Sequence, residues 1–219
     1  MFAPEEFLDL SAFAHRALFA GVGAVWEALP RIPDYLARLL VAPAIQGEVE
    51  EGVSITGAVA IGEGTRVEAG VKIVGPAVIG RGCHLRQGAY LRGQVVIGDE
   101  VIVGHATELK SAILLDRAHA PHFNYVGDSI LGSDCNLGAG TICSNVRLDL
   151  GPVRVRTEGG SVNTGLLKFG AVVGQGARTG CHVVLNPGTL LGRGVLVWPG
   201  LAISGYFPRG TIQHPGLPG

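Results

Sequence analysis

The chain has 219 residues, 47% of them hydrophobic, which is enough to bury a core without disulfide bonds or metal ions. Its formal net charge of −1 argues against nucleic acid or an anionic membrane as a partner, because proteins that bind these concentrate Lys and Arg on one surface. The four cysteines lack the CxxC spacing of zinc sites and disulfide frameworks, so we interpret Cys83, Cys135, Cys143 and Cys181 as small buried side chains in a reducing compartment.

Residues 1–44 have apolar side chains at helical spacing, interrupted by Pro30, Pro33 and Pro43. This pattern predicts a helical cap over the open end of the following domain, where it would cover exposed strand edges. The stretch LFAGVGAVW lacks the preceding basic region of a signal peptide, and Glu27 follows it directly. No segment approaches the length of a membrane span, and we therefore expect a cytoplasmic protein.

Residues 45–219 form the second predicted domain, which carries a six-residue repeat. Aliphatic side chains occur at every sixth position in its first part: Ile55, Ile61, Val67, Ile73, Ile79, Leu85, Leu91, Ile97, Val103 and Leu109. Hexapeptide repeats are typical of parallel β-helices, in which each repeat supplies one strand and one turn. Three repeats make a triangular coil, and the aliphatic side chains stack inside it. The repeat therefore predicts an all-β solenoid, and it resembles the left-handed parallel β-helix.

The six-residue period is interrupted after Leu109 and Leu115 and resumes at Leu131 and Leu137. This gap contains HAPHFNYVGDSI (119–130), where histidine, asparagine, tyrosine and aspartate are concentrated. Interruptions of a solenoid often lie on its binding face, so the gap is a candidate functional site.

A second interruption covers residues 144–169, and the period returns from Val173 to Ile203. Within it, VRVRTEGGSVNTGL alternates apolar and polar residues around Gly159 and Gly160, which predicts a hairpin insertion.

Three motifs, ELK (108–110), HFNYVGD (122–128) and NLGAGT (136–141), together carry a resemblance. The chain from about Ile45 resembles the acetyltransferase domain of the bifunctional N-acetylglucosamine-1-phosphate uridyltransferase and glucosamine-1-phosphate acetyltransferase, and is most similar to its stand-alone or archaeal-type relatives. The resemblance implies transfer of an acetyl group from acetyl-CoA to an amino-sugar 1-phosphate, in UDP-N-acetylglucosamine biosynthesis. It also implies a homotrimer with sites between neighbouring subunits and no tightly bound metal.

The resemblance places six site residues in this chain. They are the general base His122, its neighbour Tyr125, the phosphate-binding Arg92 and Lys110, and the sugar-contacting Asn136 and Asn145. Pro121 replaces a glycine of the bacterial pattern and the hairpin is longer, so the identity of the sugar stays open. Contacts to coenzyme A are not assigned to residues.

The reaction chemistry agrees with these residue types. The attacking amine must lose a proton as the new bond forms, and a histidine that titrates near neutrality is suited to accept it. Arg92 can bind phosphate oxygens through two hydrogen bonds, and Lys110 adds a point charge. One coil of three hexapeptides is about 18 residues long, which would place Lys110 directly beside Arg92 on one face.

Structural interpretations of the same residues remain open. Arg92 and Lys110 can be exposed turn charges, and Asn136 can bond only to the backbone. Asp128, in YVGD, is typical of a turn. The remaining histidines considered, His84, His105, His119 and His182, are interpreted as structural or surface residues.

Two other functions are considered. The first is a metal-dependent hydratase of the carbonic anhydrase type, in which His105, His119 and His122 would bind zinc, although that family's pair of histidines five residues apart is absent here. The second is a non-catalytic β-helix that partners a separate sugar nucleotidyltransferase, since the chain contains no Gly-rich nucleotide-binding loop.

Overall fold

A computed structural model describes residues 2–215, and the repeats form three parallel sheets along one solenoid. Sheet 1 contains Glu48–Val49, Arg66–Val67, His84–Leu85, Ile102–His105, His119–His122, Arg178–Thr179, Leu196–Val197 and Ile212–Gln213. Sheet 2 contains Ser54–Thr56, Lys72–Val74, Tyr90–Arg92, Glu108–Lys110, Tyr125–Gly127, Ile142–Cys143, Val184–Leu185 and Ala202–Ile203. Sheet 3 contains Val59–Ile61, Ala77–Ile79, Val95–Ile97, Ala112–Leu114, Ile130–Leu131, Ala171–Val173, Thr189–Leu191 and Tyr206–Phe207.

The repeat produces this fold because its aliphatic positions all point into the coil. From Ile61 to Leu109 every one of these side chains is buried, and they pack in one continuous column. Burial of each such side chain contributes about 1.5–3 kcal/mol relative to exposure. The three parallel sheets confirm the predicted parallel β-helix.

The first interruption of the period is not an insertion. Two residues separate the strands Tyr90–Arg92 and Val95–Ile97, whereas only Ser111 separates the corresponding strands of the next coil. The coil is shorter by one residue, so Ile97 pairs with Leu114 and Leu109 with Val126. The stretch HAPHFNYVGDSI therefore continues the solenoid, with a local period that the strict six-residue count does not match.

The N-terminal segment lies on the side of the solenoid, which corrects the predicted cap over its end. It contains an α-helix at Pro4–Phe7, 3₁₀-helices at Arg16–Phe19 and Val25–Arg31, and an α-helix at Ile32–Leu39. Its aromatic side chains pack on the outer face of sheet 3. The outward residues there are also apolar and buried: Val78, Val96, Ile113, Ile130, Val172 and Leu190.

The N-terminal segment packs on sheet 3 because this sheet is apolar on both faces, and its outer face would otherwise be exposed to water. Strands apolar on both faces are typical of sheets buried on both sides. At the N-terminal edge of sheet 3, Ile45 forms a parallel β-bridge with Ile61. The chain segment that follows the helices therefore covers this strand edge.

The second interruption is the predicted hairpin. Strands Arg154–Thr157 and Gly160–Asn163 pair antiparallel, with Thr157 opposite Gly160. Val153 and Val155 are fully buried in the same cluster as the N-terminal segment. The hairpin and the N-terminal segment therefore share one core on the outside of the solenoid.

Three of the four cysteines are buried as expected, whereas Cys181 is exposed. Burial raises the pKa of the Cys83 thiol to about 11 and that of Cys143 to about 12. These thiols therefore stay protonated at neutral pH. Among residues 2–215, none of the helices is long and apolar enough to cross a lipid bilayer.

Candidate functional site

The outer face of sheet 2 brings together four of the six predicted site residues. Leu91 pairs with Leu109, so Arg92 and Lys110 occupy equivalent positions in successive coils, as the coil length predicts. Glu108 pairs with Tyr125 in the following coil, and Asn145 lies just beyond the next strand, Ile142–Cys143.

Both predicted phosphate-binding cations are ion-paired. Arg92 Nη1 lies 2.6 Å from Glu108 Oε1, and Lys110 Nζ lies 3.0 Å from Asp128 Oδ2. The Arg92–Glu108 pair is the more exposed of the two. The exposed fraction of the side chain is 44% for Arg92 and 31% for Glu108, against 22% for Lys110 and 14% for Asp128. The hydrogen bond that Arg92 donates to Glu108 raises the pKa of the guanidinium, which is therefore charged at any working pH.

Asp128 is the centre of this site rather than only a turn residue. Its backbone has φ of 45°, which fits the predicted turn, and its N–H donates to the Lys110 carbonyl over 2.8 Å. Its carboxylate also accepts hydrogen bonds from Lys110 Nζ and from Asn145 Nδ2. A carboxylate held by two donors fixes the positions of both side chains.

Tyr125 belongs to the same network. Burial raises the pKa of its phenol, and the charges of Glu108 and Asp128 raise it further, while Arg92 and a hydrogen bond with Asn145 lower it. The phenol therefore stays protonated at neutral pH and is available as a hydrogen-bond donor.

His122 lies at the corner between sheets 1 and 2, at the end of the strand His119–His122, and its side chain is exposed. Its N–H donates to Asn124 Oδ1 over 3.2 Å, and its carbonyl accepts from the Gly140 N–H over 3.0 Å. Asn124 is buried, and its Nδ2 donates to the Gly138 carbonyl over 2.8 Å. This asparagine therefore fixes the turn that leads from His122 to Tyr125.

Asn136 is not brought to this group within one chain. It lies in sheet 1, where it bridges His119 on one side and Arg178 on the other. Its side chain lines a cavity with Arg117 and Asp134. The predicted set is thus divided between the outer face of sheet 2, the corner at His122 and the outer face of sheet 1.

The other histidines have different surroundings. His84 Nε2 lies 2.7 Å from Glu68 Oε1, and His105 Nδ1 lies 2.8 Å from the Gln87 carbonyl oxygen. Within residues 2–215, no group of three or more His, Cys, Asp or Glu side chains is placed to hold a metal ion.

The sequence alone did not single out Glu108 or give Asp128 a functional role. A signal was available, because Asp128 and Asn145 are one short coil, 17 residues, apart. It is visible only when this coil is also known to be 17 residues long, as the pairing of Val126 with Cys143 shows, so the strict 18-residue spacing misses it.

Comparison with known proteins places the chain in a family. It is 34% identical to YaiX, an uncharacterized acetyltransferase of Escherichia coli K12, over 197 residues that cover 86% of each chain. The chain belongs to the hexapeptide-repeat acyltransferase family. Family membership therefore confirms the predicted acyltransferase class.

Longer relatives also match most of the chain. It is 41% identical over 176 residues to the bifunctional protein GlmU of Methanococcus vannielii, and this alignment covers 80% of the present chain and 42% of the relative. It is 36% identical over 158 residues to a bifunctional sugar-1-phosphate nucleotidylyltransferase/acetyltransferase of Sulfurisphaera tokodaii, and this alignment covers 72% of the present chain and 39% of the relative. The chain thus spans about two fifths of these archaeal proteins. Residues 73–167 also match the GMPPB C-terminal domain.

Proposed function

We propose that the chain transfers an acetyl group from acetyl-CoA to the amino group of an amino-sugar 1-phosphate, glucosamine-1-phosphate or an isomer. The observation that carries the proposal is the outer face of sheet 2, where two cations form two ion pairs with two carboxylates in successive coils. The name of the Sulfurisphaera tokodaii relative, a bifunctional sugar-1-phosphate nucleotidylyltransferase/acetyltransferase, supports a sugar 1-phosphate as the acceptor.

The charge pattern suits a zwitterionic acceptor. An amino-sugar 1-phosphate carries a phosphate dianion and an ammonium group on one small ring. Arg92 and Lys110 can bind the phosphate, while Glu108 and Asp128 offer the compensating negative charge. Holding the sugar at both ends lowers the entropy lost in reaching the transition state.

His122 is the proposed general base. The sugar ammonium first loses one proton to solvent, and the neutral amine nitrogen then attacks the thioester carbonyl carbon. His122 accepts the second proton that the nitrogen loses, and the carbon–sulfur bond breaks as His122 returns this proton to the departing sulfur. Tyr125, protonated at neutral pH, is the proposed hydrogen-bond donor in the site.

The acceptor is tested by measuring thiol release from acetyl-CoA with glucosamine-1-phosphate, galactosamine-1-phosphate or glucosamine. We expect release with one phosphorylated sugar and a much higher KM for glucosamine. Arg92→Ala should raise the KM for the phosphorylated sugar about tenfold to a hundredfold, because a charge-assisted hydrogen bond contributes about 1.5–3 kcal/mol.

The matched control is Arg81→Ala, because Arg81 also forms an exposed ion pair, with Glu63, at a different corner of the solenoid. This variant should keep the wild-type KM. An unchanged KM in Arg92→Ala would remove Arg92 from the phosphate site, and no thiol release with any of the three acceptors would contradict the proposed substrate class.

We also propose a homotrimer in which Asn136 completes the site of a neighbouring subunit. The support is the separation of Asn136, in sheet 1, from the group on sheet 2. A site divided between two sheets of one chain becomes contiguous if sheet 1 of one subunit faces the His122 corner of the next. Closed cyclic symmetry would then create three equal sites.

Mixed oligomers test this arrangement. His122→Ala and Asn136→Ala are given different tags and co-expressed, and hybrids that carry both tags are purified. Each variant alone should be nearly inactive, whereas hybrids should regain about one third of the wild-type rate, since one of three interfaces then holds both native residues. Inactive hybrids would place both residues in one subunit, and a monomer in sedimentation would contradict the trimer.

A further inference from the structure

A groove separates the hairpin from the last coils of the solenoid, outside the site described above. Its cavity volume is about 550 Å³. We call it the hairpin groove, and its polar lining residues are Ser144, Arg147, Arg154, Arg156, Asn186 and Ser204. Val146, Leu148 and Pro187 add an apolar part to the same wall.

The hairpin strand packs closely against the last coils. A side chain at Gly188 would meet the Arg154 carbonyl oxygen at 2.6 Å, and one at Gly205 would meet the Arg156 carbonyl oxygen at 3.0 Å. Both glycines also have φ in the left-handed region. Val155, between the two arginines, is fully buried. Because strand side chains alternate, Arg154 and Arg156 project from the opposite side of the strand to Val155.

The groove is positively charged. Three guanidinium groups line it against one carboxylate, Asp149, which Arg147 already binds. Arg154 donates to Ser161 on the other hairpin strand, over 2.9 Å to its hydroxyl. Within residues 2–215, the side chain of Arg156 has no hydrogen-bond partner and no carboxylate at ion-pair distance. Arg156 is therefore the cation that is available to a ligand.

The groove continues directly from the candidate site. Ser144 precedes Asn145, whose side chain contacts Asp128. The N–H of Ser144 donates to the Leu185 carbonyl and that of Asn186 to the Ile203 carbonyl, so Ser144, Asn186 and Ser204 line successive coils. Neighbouring parallel strands are about 4.8 Å apart, so this polar column extends roughly 10 Å from the candidate site along the solenoid.

We infer that the hairpin groove binds the phosphate groups at the nucleotide end of the acyl-CoA donor, with Arg156 as the principal contact and Arg154 beside it. The apolar wall at Val146 and Leu148 then contacts the part of the donor between its phosphates and the thioester. This inference rests on the proposed function, since it assigns the second substrate of the same reaction. An amphipathic donor with an anionic end matches a groove that is lined by both cationic and apolar side chains.

The test compares two donors that differ only in the nucleotide end. Acetyl-CoA and acetyl-pantetheine are used with wild type and Arg156→Gln, and coenzyme A binding is measured separately by calorimetry. Arg156→Gln should raise the KM for acetyl-CoA and the Kd for coenzyme A about tenfold to a hundredfold. It should leave kcat/KM for acetyl-pantetheine unchanged. Arg81→Gln, an exposed arginine on another corner, is the control for general charge effects.

The outcomes separate the two proposals. Equal coenzyme A affinity in wild type and Arg156→Gln would overturn the groove assignment, even if acetyl transfer is observed. A loss of kcat/KM with both donors would also overturn it, because the arginine would then act on the fold or the acceptor. Arg156-dependent binding of coenzyme A without acetyl transfer would support the groove and count against the proposed reaction.

Discussion

His122→Ala should lower kcat for acetyl transfer by roughly 10²–10⁴-fold, the usual contribution of a positioned general acid or base. The effect should be in kcat rather than in binding, because Arg92 and Lys110, the proposed phosphate ligands, lie on sheet 2 and are untouched by the change. The substitution should not disturb the fold, since the His122 side chain is exposed and its hydrogen bonds to Asn124 and Gly140 come from the backbone.

The measurement is steady-state thiol release at saturating acetyl-CoA and saturating acceptor, together with thermal unfolding of each variant. His84→Ala is the matched control, because His84 lies in the same sheet two strands away and pairs with Glu68. His84→Ala should keep the wild-type kcat. A wild-type kcat in His122→Ala would exclude this histidine as the base. A large fall in the melting temperature of His122→Ala would mean that a damaged fold, and not a lost base, explains a lower kcat.

Gly104→Ala should be the most destabilising small substitution close to the site. A methyl group at residue 104 would lie 1.5 Å from the Pro121 carbonyl oxygen, so the backbone of the adjacent strand must move. Overpacking typically costs 1–3 kcal/mol and occasionally more, and a clash with backbone should cost at least about 3 kcal/mol. For a chain of this size, that lowers the melting temperature by about 6–12 °C.

Gly159→Ala is the matched control, because no atom lies within 4 Å of a side chain built there and its φ is not in the left-handed region. Its melting temperature should stay within about 2 °C of the wild type, as expected for a surface change of about 0.5 kcal/mol. Since Pro121 immediately precedes His122, Gly104→Ala should also lower kcat in whatever fraction remains folded. Equal melting temperatures for the two variants would show that the coils can separate at Gly104 without cost.

The sequence by itself determined the solenoid and much of its register. A hexapeptide repeat is local, and each repeat imposes the same strand and turn, so the inward column from Ile61 to Leu109 follows from the period alone. The hairpin was predictable for the same reason, because the alternation of apolar and polar residues that indicates it is also local. The alignment of Arg92 with Lys110 needed only the length of one coil.

Only the tertiary structure decided where the N-terminal segment lies. Its helical spacing shows that it has an apolar face, but does not show which apolar surface it covers. Sheet 3 is apolar outside as well as inside, at positions such as Val96 and Ile130, and its burial requires a partner from elsewhere in the chain.

The functional network likewise depended on tertiary structure. Two successive coils, from Leu109 to Val126 and from Val126 to Cys143, are each 17 residues long, and these lengths place Asp128 between Lys110 and Asn145. The same geometry leaves Asn136 on another sheet. Side chains in a solenoid meet according to the length of each individual coil and not to its average, so a repeat period predicts the column but not the contacts across it.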